Sequence, residues 1–138
     1  MNDEQVHGAI ELPAGSWWDW DVVAWDRGRF LLAADYDLTY HHALELVFTM
    51  PTFVSCPANF HDPEFRAPTS EELATVTRRL GETPPVLVAF EADAGGSEPV
   101  SCLIAADRLD IVQGIVLRYW REDVAPDQRF APWVRPGE

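Results

Sequence analysis

From Arg29 to Leu38 the chain alternates. Phe30, Leu32, Ala34, Tyr36 and Leu38 fall on one parity, and Arg29, Asp35 and Asp37 on the other. A period of two belongs to a strand with one buried face. The segments on either side repeat the pattern. In 17–25, Trp18, Trp20, Val22 and Ala24 oppose Trp17, Asp19, Asp21, Val23 and Trp25; in 43–50, Leu44, Leu46, Phe48 and Met50 oppose Glu45, Val47 and Thr49. The three segments read as an antiparallel meander with turns at Asp26-Arg27-Gly28 and Thr39–His42.

Parity also tests the register, because residues directly opposite each other share a sheet face. A three-residue loop with Gly28 at positive φ sets Trp25 against Arg29, Trp20 against Ala34, Asp19 against Asp35 and Trp17 against Asp37. Both faces then agree. A two-residue loop would set Trp20 against Asp35 and mix them. Pairing Leu38 with Leu44 continues the agreement and sets Asp37 against Glu45.

Further along, Pro51 is expected to break the ladder, with Thr52–Cys56 as a short edge strand. Residues 57–68 read as a loop held by Phe60 and Phe65. A helix is expected over about residues 69–80: Thr69 with Glu72 fits a capping box, Leu73, Val76 and Leu80 form an apolar stripe, and Gly81 is the stop. Val86, Val88 and Phe90 alternate inward, Gly95-Gly96-Ser97 marks a hairpin loop, and Val100, Cys102 and Ile104 return with the same parity. Leu109–Trp120 is apolar on both parities, which predicts cover on both sides, with a bulge or bend at Gly114. The fold class is therefore mainly β (α+β), an antiparallel sandwich or partly open barrel of six or seven strands with one inserted helix. Residues 1–138 read as a single domain, with 1–16 a loosely ordered lead-in and 121–138 an irregular tail pinned by Phe130 and Trp133.

Charge and composition narrow the function classes. The formal net charge is −13, and all ten basic residues are arginines. That balance argues against nucleic-acid or anionic-membrane partners, which require a basic footprint, and suits a basic protein partner or a cation. No run approaches the ~18 apolar residues that span a bilayer. The acidic opening Met1-Asn2-Asp3-Glu4-Gln5 is unlike a signal peptide, so the expected setting is cytoplasmic. Cys56 and Cys102 lack CxxC spacing and read as buried free thiols, with one disulfide as an alternative.

The chemistry-bearing residues fall into three groups. The register places Asp19, Asp21, Asp35, Asp37 and Glu45 on one outward face, flanked by Trp17 and Trp25. Opposed like charges cost a sheet a few tenths to about 1 kcal/mol per pair, so such a face suggests a docking surface for a basic partner or a divalent-cation site. His41, His42, His61 and Cys56 are weak metal candidates, since no HxH, HxxxH or HExxH spacing is present. Nucleophile elbows and phosphate-binding glycine loops are absent too. Lastly, Gly15-Ser16-Trp17 is similar to the opening GxW motif of lipocalin-type barrels. That resemblance covers three residues and implies a small-ligand cavity, for which Trp18, Trp20, Tyr36 and Phe48 are the lining candidates.

The sequence thus points to a small acidic bacterial binding protein. The expectation is a non-enzymatic protein without a cofactor that docks a basic partner through the carboxylate face. In charge and size it resembles immunity proteins and toxin inhibitors. A small-molecule-binding barrel is the alternative.

Overall fold

A computed structural model describes residues 5–136; the ends of the lead-in and of the tail lie outside that range. Seven strands and one helix follow in order: β1 (Asp19–Trp25), β2 (Arg29–Asp35), β3 (His41–Ser55), β4 (Asn59–Arg66), α1 (Ser70–Leu80), β5 (Val86–Asp93), β6 (Val100–Leu117) and β7 (Arg129–Phe130). Six strands pair antiparallel in the order β3-β2-β1-β4-β5-β6, and a β3–β6 pairing closes the ring into a barrel. β7 lies outside the ring, parallel to the end of β6. Closure removes the edges that an open sheet would present along most of its length.

The interior is packed with side chains from all six strands. Trp20, Phe30, Phe48, Phe60 and Phe90 are fully buried there, with Leu32, Leu44, Leu46, Val88 and Ile104 between them. The parities read from the sequence put these residues inside, except Phe60, which falls in the segment expected to be a loop. On the outer face, α1 lays Leu73, Val76 and Leu80 over Leu87, Leu103, Ala105 and Phe53, which explains why those strand positions are apolar on their outward parity. The helix begins with a full capping box between Thr69 and Glu72 and stops at Gly81, whose φ of 85° is left-handed.

Bulges account for most departures from the simple register. Asp19, Trp20, Asp21 and Val22 pair with Asp35, Ala34, Ala33 and Leu32 as the parity demands, but an extra residue at Val23 then shifts the ladder, so Trp25 faces Phe30 rather than Arg29. The turn is closed by the Asp26 carboxylate, which accepts from the Gly28 and Arg29 N–H groups at 2.8 and 3.1 Å. Gly28 is not among the positive-φ residues. β2 ends at Asp35, because Asp37 accepts from the Thr39 N–H and turns the chain. Trp17–Asp37 and Leu38–Leu44 pairs therefore do not form. Leu44 faces Ala34, and Glu45 faces Ala33 instead of Asp37. The shift is an even number of residues, so every side chain keeps its face.

Pro51 does not end β3. A register shift between Pro51 and Phe53 absorbs it, and the strand runs on to Ser55 against β6. The segment read as a loop at 57–68 contains a full strand, β4. Phe60 and Phe65 sit an odd number apart, which hides a period of two; the shift between His61 and Glu64, with Asp62 at φ 48°, restores both to the interior. Gly114, at φ 155°, lies where β6 carries an extra residue opposite β3. The expectation of cover on both sides of 109–120 fails in the middle. Ile111 and Val112 are exposed, because β5 stops pairing at Ala106 and β7 begins only at Val116.

The described part of the lead-in is laid against the body. Val6 bridges to Val86, and Ile10, Leu12 and Trp17 pack on the core. In the tail, Phe130 stacks on Trp120 at 4.8 Å and Ala131 is buried, while Trp133 covers the Arg118 guanidinium at 5.4 Å. Among the described residues, no helix is long and apolar enough to cross a membrane.

Candidate functional site

The five carboxylates of the meander share the outward side of the barrel, but they divide into two sets. Asp21 and Glu45 are neutralised by the C-terminal region. Arg118 forks onto both Asp21 oxygens at 2.8 Å and donates from Nε to His42 Nδ1 at 3.0 Å. His42 Nε2 meets Glu45 Oε2 at 2.7 Å, and Arg129 donates to the other Glu45 oxygen at 2.6 Å. His42 is fully buried and Glu45 is 5% exposed. Arginine has only donors, so its bond to Nδ1 fixes the neutral tautomer that carries its proton on Nε2, and that proton is donated to Glu45. Burial raises the Glu45 pKa, yet the bonds from His42 and Arg129 outweigh it and hold the carboxyl below its ordinary value. Asp21, Arg118, His42, Glu45 and Arg129 thus form one continuous polar chain under the tail. No buried side-chain nitrogen or oxygen among the described residues lacks a partner.

Among the described residues, no arginine pairs with Asp19, Asp35 or Asp37. Asp19 lies 3.3 Å from His61 Nε2 and accepts from the Leu38 N–H. Asp35 meets His41 Nδ1 at 2.8 Å. Asp37 is held below its ordinary pKa by the Thr39 hydroxyl and N–H. The Asp19–Asp35 cross-strand pair is where the register placed it.

This second set extends in a direction the sequence did not indicate. The Trp18 ring stacks on His61 at 4.2 Å, and the Asp62 N–H donates to the Trp18 carbonyl. Beside it a surface cleft of about 320 Å³ is lined by Trp18, Asp62, Glu64, Glu91, Ala92, Asp93 and Pro99. Glu91 is engaged by Arg66 and Ser101. Asp93 accepts only from the Gly95 N–H of its own turn, and no ion pair to Asp62 or Glu64 is seen among the described residues. An acidic strip therefore runs from Asp93, Glu64 and Asp62 past Trp18 and His61 to Asp19, Asp35 and Asp37. Asp62, Glu64 and Asp93 give no sign in the sequence of lying together, because 57–68 lacks the regular alternation that marks a strand. The β4–β5 pairing is what brings them beside Trp18.

The aromatic anchors move accordingly. Trp17 is not a surface anchor: it is half-buried, donates to the Pro13 carbonyl at 2.7 Å, and lies over Gly15, where a Cβ would stand 2.5 Å from its ring. Trp25 is 61% exposed but sits at the far end of β1 from Asp19, edge-on to Phe30. Trp18, 47% exposed, is the ring that borders the strip.

The four cavity candidates do not line one space. Trp20 and Phe48 are fully buried in the packed core, whereas Trp18 and Tyr36 are exposed, Tyr36 because β2 ends before it. The closed ring also has six strands, where lipocalin barrels have eight.

The metal candidates lie apart. His41 and His61 are bound to separate aspartates, His42 is buried in the polar chain, and Cys56 follows the end of β3. Among the described residues, no three His, Cys, Asp or Glu side chains converge in a metal-binding arrangement. Cys56 instead contacts Cys102. That contact, with burial, pushes the Cys56 thiol up, and the same contact lowers Cys102.

No protein-family model, no curated protein sequence and no solved structure matches the chain.

Proposed function

We propose that this chain is a non-enzymatic binding protein, inhibitor-like in character, that docks a basic segment of a partner protein along the acidic strip centred on Trp18. The observation that carries the reading is the division among the carboxylates. Asp21 and Glu45 are matched by arginines, while Asp62, Glu64 and Asp93 line a cleft beside the exposed Trp18 indole, and Asp19 and Asp35 continue from His61 on its other side, with no arginine on any of them among the described residues. A stability-driven surface would intersperse signs there. An indole face beside carboxylates is suited to arginine or lysine side chains: the ring attracts the cation and the carboxylates accept its hydrogen bonds. The net charge of −13 supplies long-range steering toward a basic partner. The reading keeps the bacterial cytoplasmic setting expected from composition.

The test is retention of bound proteins from a native cytosolic extract at low and high salt, by wild type and by two variants. Proteins held by wild type at low salt should be released at high salt. They should be lost from both the Asp62→Asn/Glu64→Gln/Asp93→Asn variant and the Asp19→Asn/Asp35→Asn/Asp37→Asn variant. Unchanged retention by both variants removes the proposal.

A further inference from the structure

Ser55 and Leu103 form the last rung of the β3–β6 ladder. Cys56 and Cys102 are the next residues outward on the two strands. Antiparallel strands set such residues opposite each other with Cα atoms about 4.5–5.5 Å apart, inside the roughly 4.4–6.8 Å that a disulfide spans. Both side chains turn toward the same core: Cys102 is fully buried in it and Cys56 packs against it, partly exposed. Both are free thiols in this structure. Each leans on a nearby carbonyl, Cys56 on Pro57 at 3.2 Å and Cys102 on Val100 at 3.6 Å.

We propose that Cys56 and Cys102 are a thiol–disulfide modification site, closed by a small-molecule disulfide such as oxidised glutathione. The pair loses one proton, and the Cys56 thiol passes its own proton to the Cys102 sulfur it contacts; Cys56, the accessible member, then attacks one sulfur of the oxidant, forming a mixed disulfide and expelling one small thiol. Cys102, as thiolate, then attacks the Cys56 sulfur and expels the second. The two protein thiols together lose two electrons and two protons, and the oxidant becomes two thiols. The new bond ties the exit of β3 to β6. Cys56 lies just before β4, which carries His61 and Asp62, and Cys102 follows Ser101, whose hydroxyl donates to Glu91 in the acidic cleft. The proposal rests on the strand register and stands whether or not the cleft binds a partner.

The experiment treats the folded protein with oxidised glutathione, alkylates the remaining thiols and maps the digested peptides. The expected result is loss of both thiols, a mass decrease of about 2 Da, a peptide joining positions 56 and 102, and a raised thermal midpoint relative to the reduced form. Cys56→Ser and Cys102→Ser should each abolish the cross-link. Glutathione adducts without the joined peptide, a disulfide-linked dimer, or two thiols that survive an oxidant able to close a free dithiol would each overturn it.

Discussion

At the scale of single residues, Arg118 organises more of the outer surface than any carboxylate does. Its guanidinium satisfies Asp21 and supplies the one donor that fixes the tautomer of a fully buried histidine. Removing it strands polar groups rather than merely deleting a contact, and that is the costly case. Arg118→Met should lower the unfolding free energy by about 3 kcal/mol, read from urea denaturation. Arg118→Lys should recover only part, because one ammonium cannot fork onto Asp21 and reach His42 together. Glu45 gives a pH prediction. Its folded pKa lies below the ordinary 4.5, so its contribution is present above about pH 4.5 and is lost as pH falls through the depressed value. His42 and Arg129 are the groups that face it. Wild type should therefore lose more stability than Glu45→Gln between pH 6 and roughly 3; parallel pH profiles would show that the carboxylate is not held by these bonds. None of this was legible in the sequence. Arg118 stands 97 positions from Asp21, and its trace is a single basic residue in the apolar run 109–120.

At the scale of elements, alternation told which residues face inward, and bulges decided what alternation could not. The β1–β2 register survives from Asp19 to Val22 because nothing interrupts the period there. β4 was invisible because the bulge at Asp62-Pro63 breaks the period in the sequence while restoring it in space. The same missed strand concealed half of the acidic strip. The helix was fully legible, since a capping box, an apolar stripe and a terminal glycine are local signals. β6 carries the element-scale prediction. Among the described residues, no strand lies beside its second edge between Ala106 and Val116, and Ile111 and Val112 are exposed. Alternate amides of 107–115 should exchange with deuterium much faster than those of 103–106, which are paired on both sides. Uniform protection along β6 would mean that the edge is covered. Val112→Lys should change stability by no more than about 0.5 kcal/mol while reducing self-association at high concentration, since charge on an open edge blocks strand pairing.

At the scale of the whole molecule, a closed barrel with a solid aromatic interior turns its chemistry outward. Closure fixes β4 against both β1 and β5, and that is what places Asp62, Glu64 and Asp93 beside Trp18 and Asp19. The tail covers one part of the outer face, where Arg118 and Arg129 match the charges of Asp21 and Glu45; among the described residues, neither arginine pairs with a carboxylate of the strip. The most direct test follows the backbone amide and indole N–H resonances during titration with a short arginine-rich peptide. The account predicts saturable shifts confined to Trp18, His61, Asp62, Glu64, Asp93, Asp19 and Asp35, weakened by salt and abolished in Asp62→Asn/Glu64→Gln/Asp93→Asn. Shifts scattered over the whole acidic surface, or binding that the triple variant retains, would contradict it.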